Sequence, residues 1–261
     1  MRRPISSLTK RAPARIKAPW RALRLAVLRR ALPRPRAAIF IAGQPRCGSY
    51  LLCRSLALTG LLGNGREYFH PLSGQGEIVT KTKLETNCLT ALRRGMTPNG
   101  VLVVKVFWDH FADLPPAVDL DYWFPSRHWV CVRRRDELGQ AISSAIALQT
   151  GQWNSTMEAR VTPVYSRASV EERLRFNTIG YDQWDRYFAA QRIEPLTLWY
   201  EDFETDMHSA VASVARLAGG NALEMEVRRS QPFVDGRFDT GREKQRTTLN
   251  DEWRARFESG N

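Results

Sequence analysis

At 261 residues the chain is long enough to bury the core of one α/β domain of ordinary size. Its formal charge of +12 invites a nucleic-acid reading, but residues 1–36 hold twelve Arg or Lys and no Asp or Glu. Subtracting those twelve from the 39 basic residues leaves 27 against 27 acidic ones, so the excess sits in one terminal segment rather than on a basic domain surface, which argues against nucleic acid as the partner. No run approaches the roughly 20 apolar residues of a membrane span, and arginines interrupt every apolar stretch of the first 36 residues, against a secretory signal. Cys47, Cys53, Cys88 and Cys131 have neither CxxC pairing nor metal-ligand spacing and read as reduced, buried thiols of a cytoplasmic protein.

The chain divides into a basic segment, residues 1–36, and a domain over 37–261. Prolines bracket one helix in the segment, Trp20 to Leu32. Trp20, Leu23, Val27, Leu28 and Leu32 would share a face, with Arg21, Arg29 and Arg30 largely off it. Such a basic amphipathic helix suits an anionic membrane surface, here the inner face of the membrane. A disordered solubilising arm and an Arg-rich targeting peptide are the alternatives.

The domain opens with the apolar run AAIFIA, which predicts a buried strand. A turn with Gly43, Pro45 and Gly48 follows, then helical spacing through Leu51, Leu52, Ser55, Leu56 and Leu58. Strand, glycine-bearing turn and helix place free backbone N–H groups and the positive end of a helix dipole at one spot, which binds an anion. Gly43 and Gly48 have the spacing of a nucleotide phosphate loop, but Ser49 and Tyr50 replace its lysine and its magnesium-binding hydroxyl. Arg46 supplies a cation inside the turn instead. This pattern suits one phosphate-like anion, held by Arg46 and the N–H groups of Gly48, Ser49, Tyr50 and Leu51, without a metal; the plain alternative is a tight turn. Cys47 lies in the same turn.

A polar glycine-rich loop, GNGREYFHPLSGQGE, follows, with a candidate base at Glu67. Thr80–Arg94 reads as a helix, Val101–Trp108 as a strand with Lys105 inside it as a structural residue or a support to a site residue rather than a catalytic one, and Trp123–Val132 as another strand. His110 is an alternative base, and His70 a candidate for the acceptor side; none of the histidines has metal spacing. In VRRRDELGQAISSAIALQTGQW a strand runs into three arginines and Asp136 caps the next helix. Arg135 and Ser143 stand eight apart, one at a strand end and the other inside the next helix, and Trp153 can pack in the core or stack on adenine or a sugar. A helix over Ser169–Ala190 with Ser169 and Glu172 as a capping box, a strand Leu196–Tyr200, a helix Asp206–Leu217 stopped by Gly219 and Gly220, and a helix Asn250–Phe257 complete the order. Lys244 and Gln245 lie in a late basic loop. Alternating strands and helices predict a three-layer αβα fold with a mostly parallel sheet and the anion loop at the carboxyl end of the first strand.

The run P-R-C-G-S-Y-L-L resembles the 5′-phosphosulfate loop of sulfotransferases that use 3′-phosphoadenosine 5′-phosphosulfate (PAPS). The arginine form of that loop, T-G-L-L-G, E-Y-F at Glu67–Phe69, and the RRRD…QA-I-S…TGQW run resemble the bacterial trehalose 2-sulfotransferase family, over roughly Ile39 to Phe257. The resemblance implies transfer of a sulfuryl group from PAPS to a carbohydrate or glycolipid hydroxyl. It gives Glu67 the role of general base and Arg46 with residues 47–51 that of 5′-phosphosulfate binding. Arg135 and Ser143 take the 3′-phosphate, with Trp153, Lys244 and Gln245 also at the nucleotide; relatives of this kind include homodimers. From the residues alone, a nucleotide-dependent kinase with an aberrant loop and a non-enzymatic membrane-surface binder remain open.

Overall fold

The run Ala37–Gly43 forms strand β1, buried at every position because helices cover both of its faces. The computed structural model describes residues 18–70, 81–112, 114, 118–153, 157–234 and 248–260. The described elements before the third strand are α1 (Ala18–Ala31), β1, α2 (Ser49–Leu58), α3 (Lys81–Gly95), β2 (Val101–Phe107), α4 (Trp108–Phe111) and α5 (Leu120–Trp123). They continue with β3 (Arg127–Arg133), α6 (Glu137–Thr150), α7 (Arg167–Gln191), β4 (Leu196–Trp199), α8 (Tyr200–Thr205), α9 (Met207–Arg228), α10 (Gln231–Val234) and α11 (Thr248–Glu258). The four strands make one all-parallel sheet in the order β2-β1-β3-β4, with Gly43 beside Phe107 and Ala42 beside Cys131 at the carboxyl ends.

Because side chains alternate across a strand, β1 divides its residues between two cores. Ala38, Phe40 and Ala42 face a layer of α3, α4 and α7 rich in aromatic rings, where Trp129, Trp184 and Phe188 meet. Ile39 and Ile41 face α2 and α9 through Leu52, Leu56, Val211 and Val214. This is the expected three-layer α/β arrangement. The four cysteines are free and buried, with burial pushing the Cys53 thiol up to about 12 and the Cys131 thiol up to about 11. No described helix is long and apolar enough to cross a membrane.

Several element ends differ from expectation for local reasons. Helix α7 starts at Arg167, because Ser166 supplies the cap by accepting from the Ser169 N–H; Ser169 is a donor in the first turn rather than the cap. Gly219 and Gly220 do leave helical geometry, but α9 resumes beyond them to bury Leu223 and Val227, and Glu224 accepts from Arg216 and Arg228 on either side of the break. Asp136 caps α6 as expected, accepting from the Gly139 N–H, and Arg254 of α11 bonds the same carboxylate at 2.5 Å.

The helix expected from Trp20 to Leu32 is present as α1, yet the face it buries differs. Leu28 and Leu32 pack against the aromatic core, while Leu23 and Val27 are exposed. Arg29, placed off the apolar face by the sequence pattern, is only 3% exposed: its guanidinium donates to the Tyr122 carbonyl at 3.0 Å and lies over the Tyr122 and Trp123 rings. A long arginine stem with aromatic partners behaves as a packing residue. Replacing Arg29 by Ala is therefore expected to lower stability by about 1–3 kcal/mol, read as a lower urea midpoint at unchanged slope.

Candidate active site

The turn after β1 is shaped by what presses on it. Gly48 has φ +92°, and a Cβ there would lie 2.4 Å from the Tyr200 ring, so only glycine fits. Arg46 also takes a left-handed conformation, φ +66°, a strain that the surrounding contacts maintain. Three carbonyls of the turn are bonded from three distant segments: Trp184 Nε1 donates to Gly43, Gln140 Nε2 to Pro45 and Arg134 to Arg46. A fourth, that of Gln44, accepts from the Cys47 N–H. With its carbonyls held this way, the turn presents N–H groups. A bond from Leu52 N to Gly48 O opens α2, whose first-turn N–H groups point into the turn, and Gly48 has no side chain to cap the helix. Residues 46–51, the expected anion-binding segment, thus lie together in this turn, with the Cys47 side chain turned into the core beside Gly43 so that only its backbone faces outward.

Arg46 and Ser143 meet, with Arg46 Nε donating to Ser143 Oγ at 2.8 Å. A terminal nitrogen of Arg46 donates to the carbonyl of Trp153, a residue that is 40% exposed. The anion loop, α6 and the Trp153 segment thus converge. Arg135 is engaged elsewhere: it grips Asp202 of α8 with two nitrogens, at 2.5 and 2.8 Å, and lies over the Trp199 ring. That bond raises the Arg135 guanidinium above its ordinary pKa and holds the Asp202 carboxyl below its own. Arg133 binds Asp185 and lies over Tyr181, while Arg134 stacks on Tyr200. Lys244 and Gln245 lie outside the described residues.

Glu67 reaches the same end of the sheet by a route not visible in its own loop. Arg66 bridges in parallel to Val104 and its carbonyl accepts from the Lys105 N–H at 3.0 Å, so the chain briefly extends the sheet beyond β2. Glu67 Oε1 then lies 2.6 Å from Lys105 Nζ, and its Oε2 lies 4.0 Å from His110 Nδ1. Lys105 is buried mid-strand, with its ammonium 5.5 Å from the centre of the Tyr50 ring and 5.3 Å from that of Phe107. It connects the carboxylate with the first turn of α2. His70 packs edge-on against His110. Burial, with the neighbouring charges of His70 and Lys105, keeps the His110 imidazole below its ordinary pKa against the opposing pull of Asp109 and Glu67. The ring is therefore neutral at pH 7.

Sequence reasoning read Lys105 as structural or as supporting a site residue and offered His110 only as a substitute for Glu67; neither was named as its neighbour. The one signal was a lysine interrupting the apolar run VLVVKVF, since a buried ammonium demands a partner. Among the described residues, no group of His, Cys, Asp or Glu is arranged to hold a metal ion.

A glycine-bearing turn and helix N-terminus at the carboxyl end of an all-parallel sheet, with a carboxylate at the same end, place the candidate site where α/β proteins bind their ligands. The sequence profile of the Stf0 sulphotransferase family matches residues 38–260, and the chain belongs to that family. It is similar to the trehalose 2-sulfotransferase of Mycobacterium tuberculosis (strain ATCC 35801 / TMC 107 / Erdman), with 26% identity over 240 residues that cover 73% of this chain and 90% of the relative.

Proposed function

We propose that the protein transfers the sulfuryl group of PAPS to a hydroxyl of a carbohydrate or glycolipid. What best supports this reading is the Glu67 carboxylate, ion-paired to Lys105, standing at the sheet end where α2 presents its N–H groups. The family membership and the relative's trehalose specificity point the same way.

Glu67 accepts the acceptor proton as the acceptor oxygen bonds to sulfur; the sulfur–oxygen bond to the 5′-phosphate breaks, and its electron pair leaves with 3′-phosphoadenosine 5′-phosphate (PAP). The N–H groups of residues 48–51 and the Arg46 guanidinium stabilise the charge that gathers on the leaving phosphate. Ser143, which accepts from Arg46, retains its own O–H to donate to the 3′-phosphate. Arg135 exchanges Asp202 for that phosphate, whose charge approaches two units. Trp153 offers an exposed ring to the adenine. Positioning and charge stabilisation carry most of the catalysis, as in phosphoryl transfer.

Calorimetry of PAP against ATP with magnesium tests the cofactor class. Tight PAP binding that is weakened at least tenfold in Arg135→Ala is expected; binding of ATP but not PAP would instead favour a kinase. In Glu67→Gln, PAP affinity is expected to hold while turnover falls about 10²–10⁴-fold, and unchanged turnover would remove Glu67 as the base.

The basic segment contributes a second, separate reading. Exposed Leu23 and Val27 on α1, within a segment carrying twelve basic residues, suit contact with an anionic membrane surface. Co-sedimentation with phosphatidylserine-containing vesicles, but not with phosphatidylcholine vesicles, is the expected result; equal recovery with both would dismiss it.

A further inference from the structure

The two groups that face each other across the acceptor side of the site are both hydrogen-bond acceptors. Lys105 occupies Glu67 Oε1 at 2.6 Å, which fixes the carboxylate and turns Oε2 toward His110. On His110, Nε2 faces the Asp109 carboxylate at 3.5 Å, so the proton of the neutral ring belongs on Nε2 and Nδ1 carries a lone pair. The His110 side chain is only 9% exposed, and its Nδ1 is buried without a hydrogen-bond partner among the described residues. A buried acceptor left unpaired is costly, so in a native site it marks a place where a ligand donor is missing.

Oε2 and Nδ1 are 4.0 Å apart, too far to bond one another and both unable to donate. One hydroxyl has a single proton and can satisfy only one of them. Two hydroxyls on adjacent carbons satisfy both, because their oxygens stand about 3 Å apart and each can donate at ordinary hydrogen-bond length. We propose that Glu67 Oε2 and His110 Nδ1 together clamp a vicinal diol, the reacting hydroxyl donating to Glu67 and its neighbour to His110.

This inference rests on Glu67 being the base and narrows the acceptor to a sugar-like compound with adjacent hydroxyl groups. His110 is then a substrate-binding residue that sets which hydroxyl reaches the base. Lys105 is a positioning residue, acting through the carboxylate it orients. The proton of the reacting hydroxyl ends on Glu67 while the sulfuryl group replaces it on oxygen; the proton of the neighbouring hydroxyl stays in place, shared with Nδ1. The pairing also explains why a neutral imidazole is buried beside a carboxylate: an imidazolium there would bond Glu67 directly and close the gap.

The test uses the full chain with PAPS and three probes: trehalose, 2,2′-dideoxytrehalose and 3,3′-dideoxytrehalose, in which both halves of the symmetric sugar lack the hydroxyl. In the wild type, removing the reacting hydroxyl should abolish turnover, and removing its neighbour should lower kcat/KM by about 10- to 100-fold, as expected for a buried acceptor left without its donor. His110→Ala should bind PAP as the wild type does, turn over trehalose with a similarly lowered kcat/KM, and lose nothing further with the analogue that lacks the neighbouring hydroxyl. Equal losses for that analogue in wild type and His110→Ala would overturn the clamp, as would turnover on none of the sugars by a wild type that binds PAP. A wild type that does not bind PAP fails at the earlier step, the cofactor, and is told apart by calorimetry. Should His110→Ala fail to bind PAP, His110→Phe keeps the ring volume and repeats the comparison.

Discussion

The structure depends on one crowded turn. Between β1 and α2 the chain reverses while Val132, Tyr200 and Gly180 press on it from three elements, so side chains are excluded at Gly43 and Gly48 and the Gln44 amide lies against Gly180. Crowding also decides polarity. Because Trp184, Gln140 and Arg134 take the carbonyls of the turn, the direction left open is lined by N–H groups. The fold has thereby already used the carbonyls that would repel an anion at this turn.

The second half of the site follows from the edge of the sheet. Strand β2 has β1 on one side only, and the Arg66 segment covers part of its other side with a single bridge. A continuous fifth strand would have carried the chain past Lys105; one bridge lets Glu67 turn inward at the height of the ammonium. A charged pair mostly buried is a weak source of stability, since desolvation offsets most of its attraction. Its persistence in an otherwise apolar strand is therefore better explained by orientation than by folding.

Sequence pattern exposed what is periodic and local. The strand–turn–helix around Gly43 and Gly48, the cap at Asp136 and the apolar strands could be recognised because each depends on residues close in the chain. The Arg46–Ser143 bond joins residues 97 apart, which pattern reading had assigned to different phosphates, so their contact was not anticipated. Glu67 with Lys105 and His110 stayed hidden, since their meeting depends on the route of a loop past β2, which has no period. The face of α1 was misjudged because pattern reading counts arginine as polar, whereas Arg29 is buried by two aromatic rings. The stop at Gly219 and Gly220 was overridden by the apolar residues beyond it.

The four cysteines carry a practical consequence. All are buried, and those at positions 53, 88 and 131 are held as thiols by their surroundings, so they stay largely silent toward alkylating reagents in the folded protein. A single cysteine introduced on the surface would thus be labelled selectively without first removing the native ones. Reporter dyes can be placed on the exposed rim near Trp153 and on α1, making the distance between that rim and the basic segment accessible to fluorescence transfer in the natural sequence background.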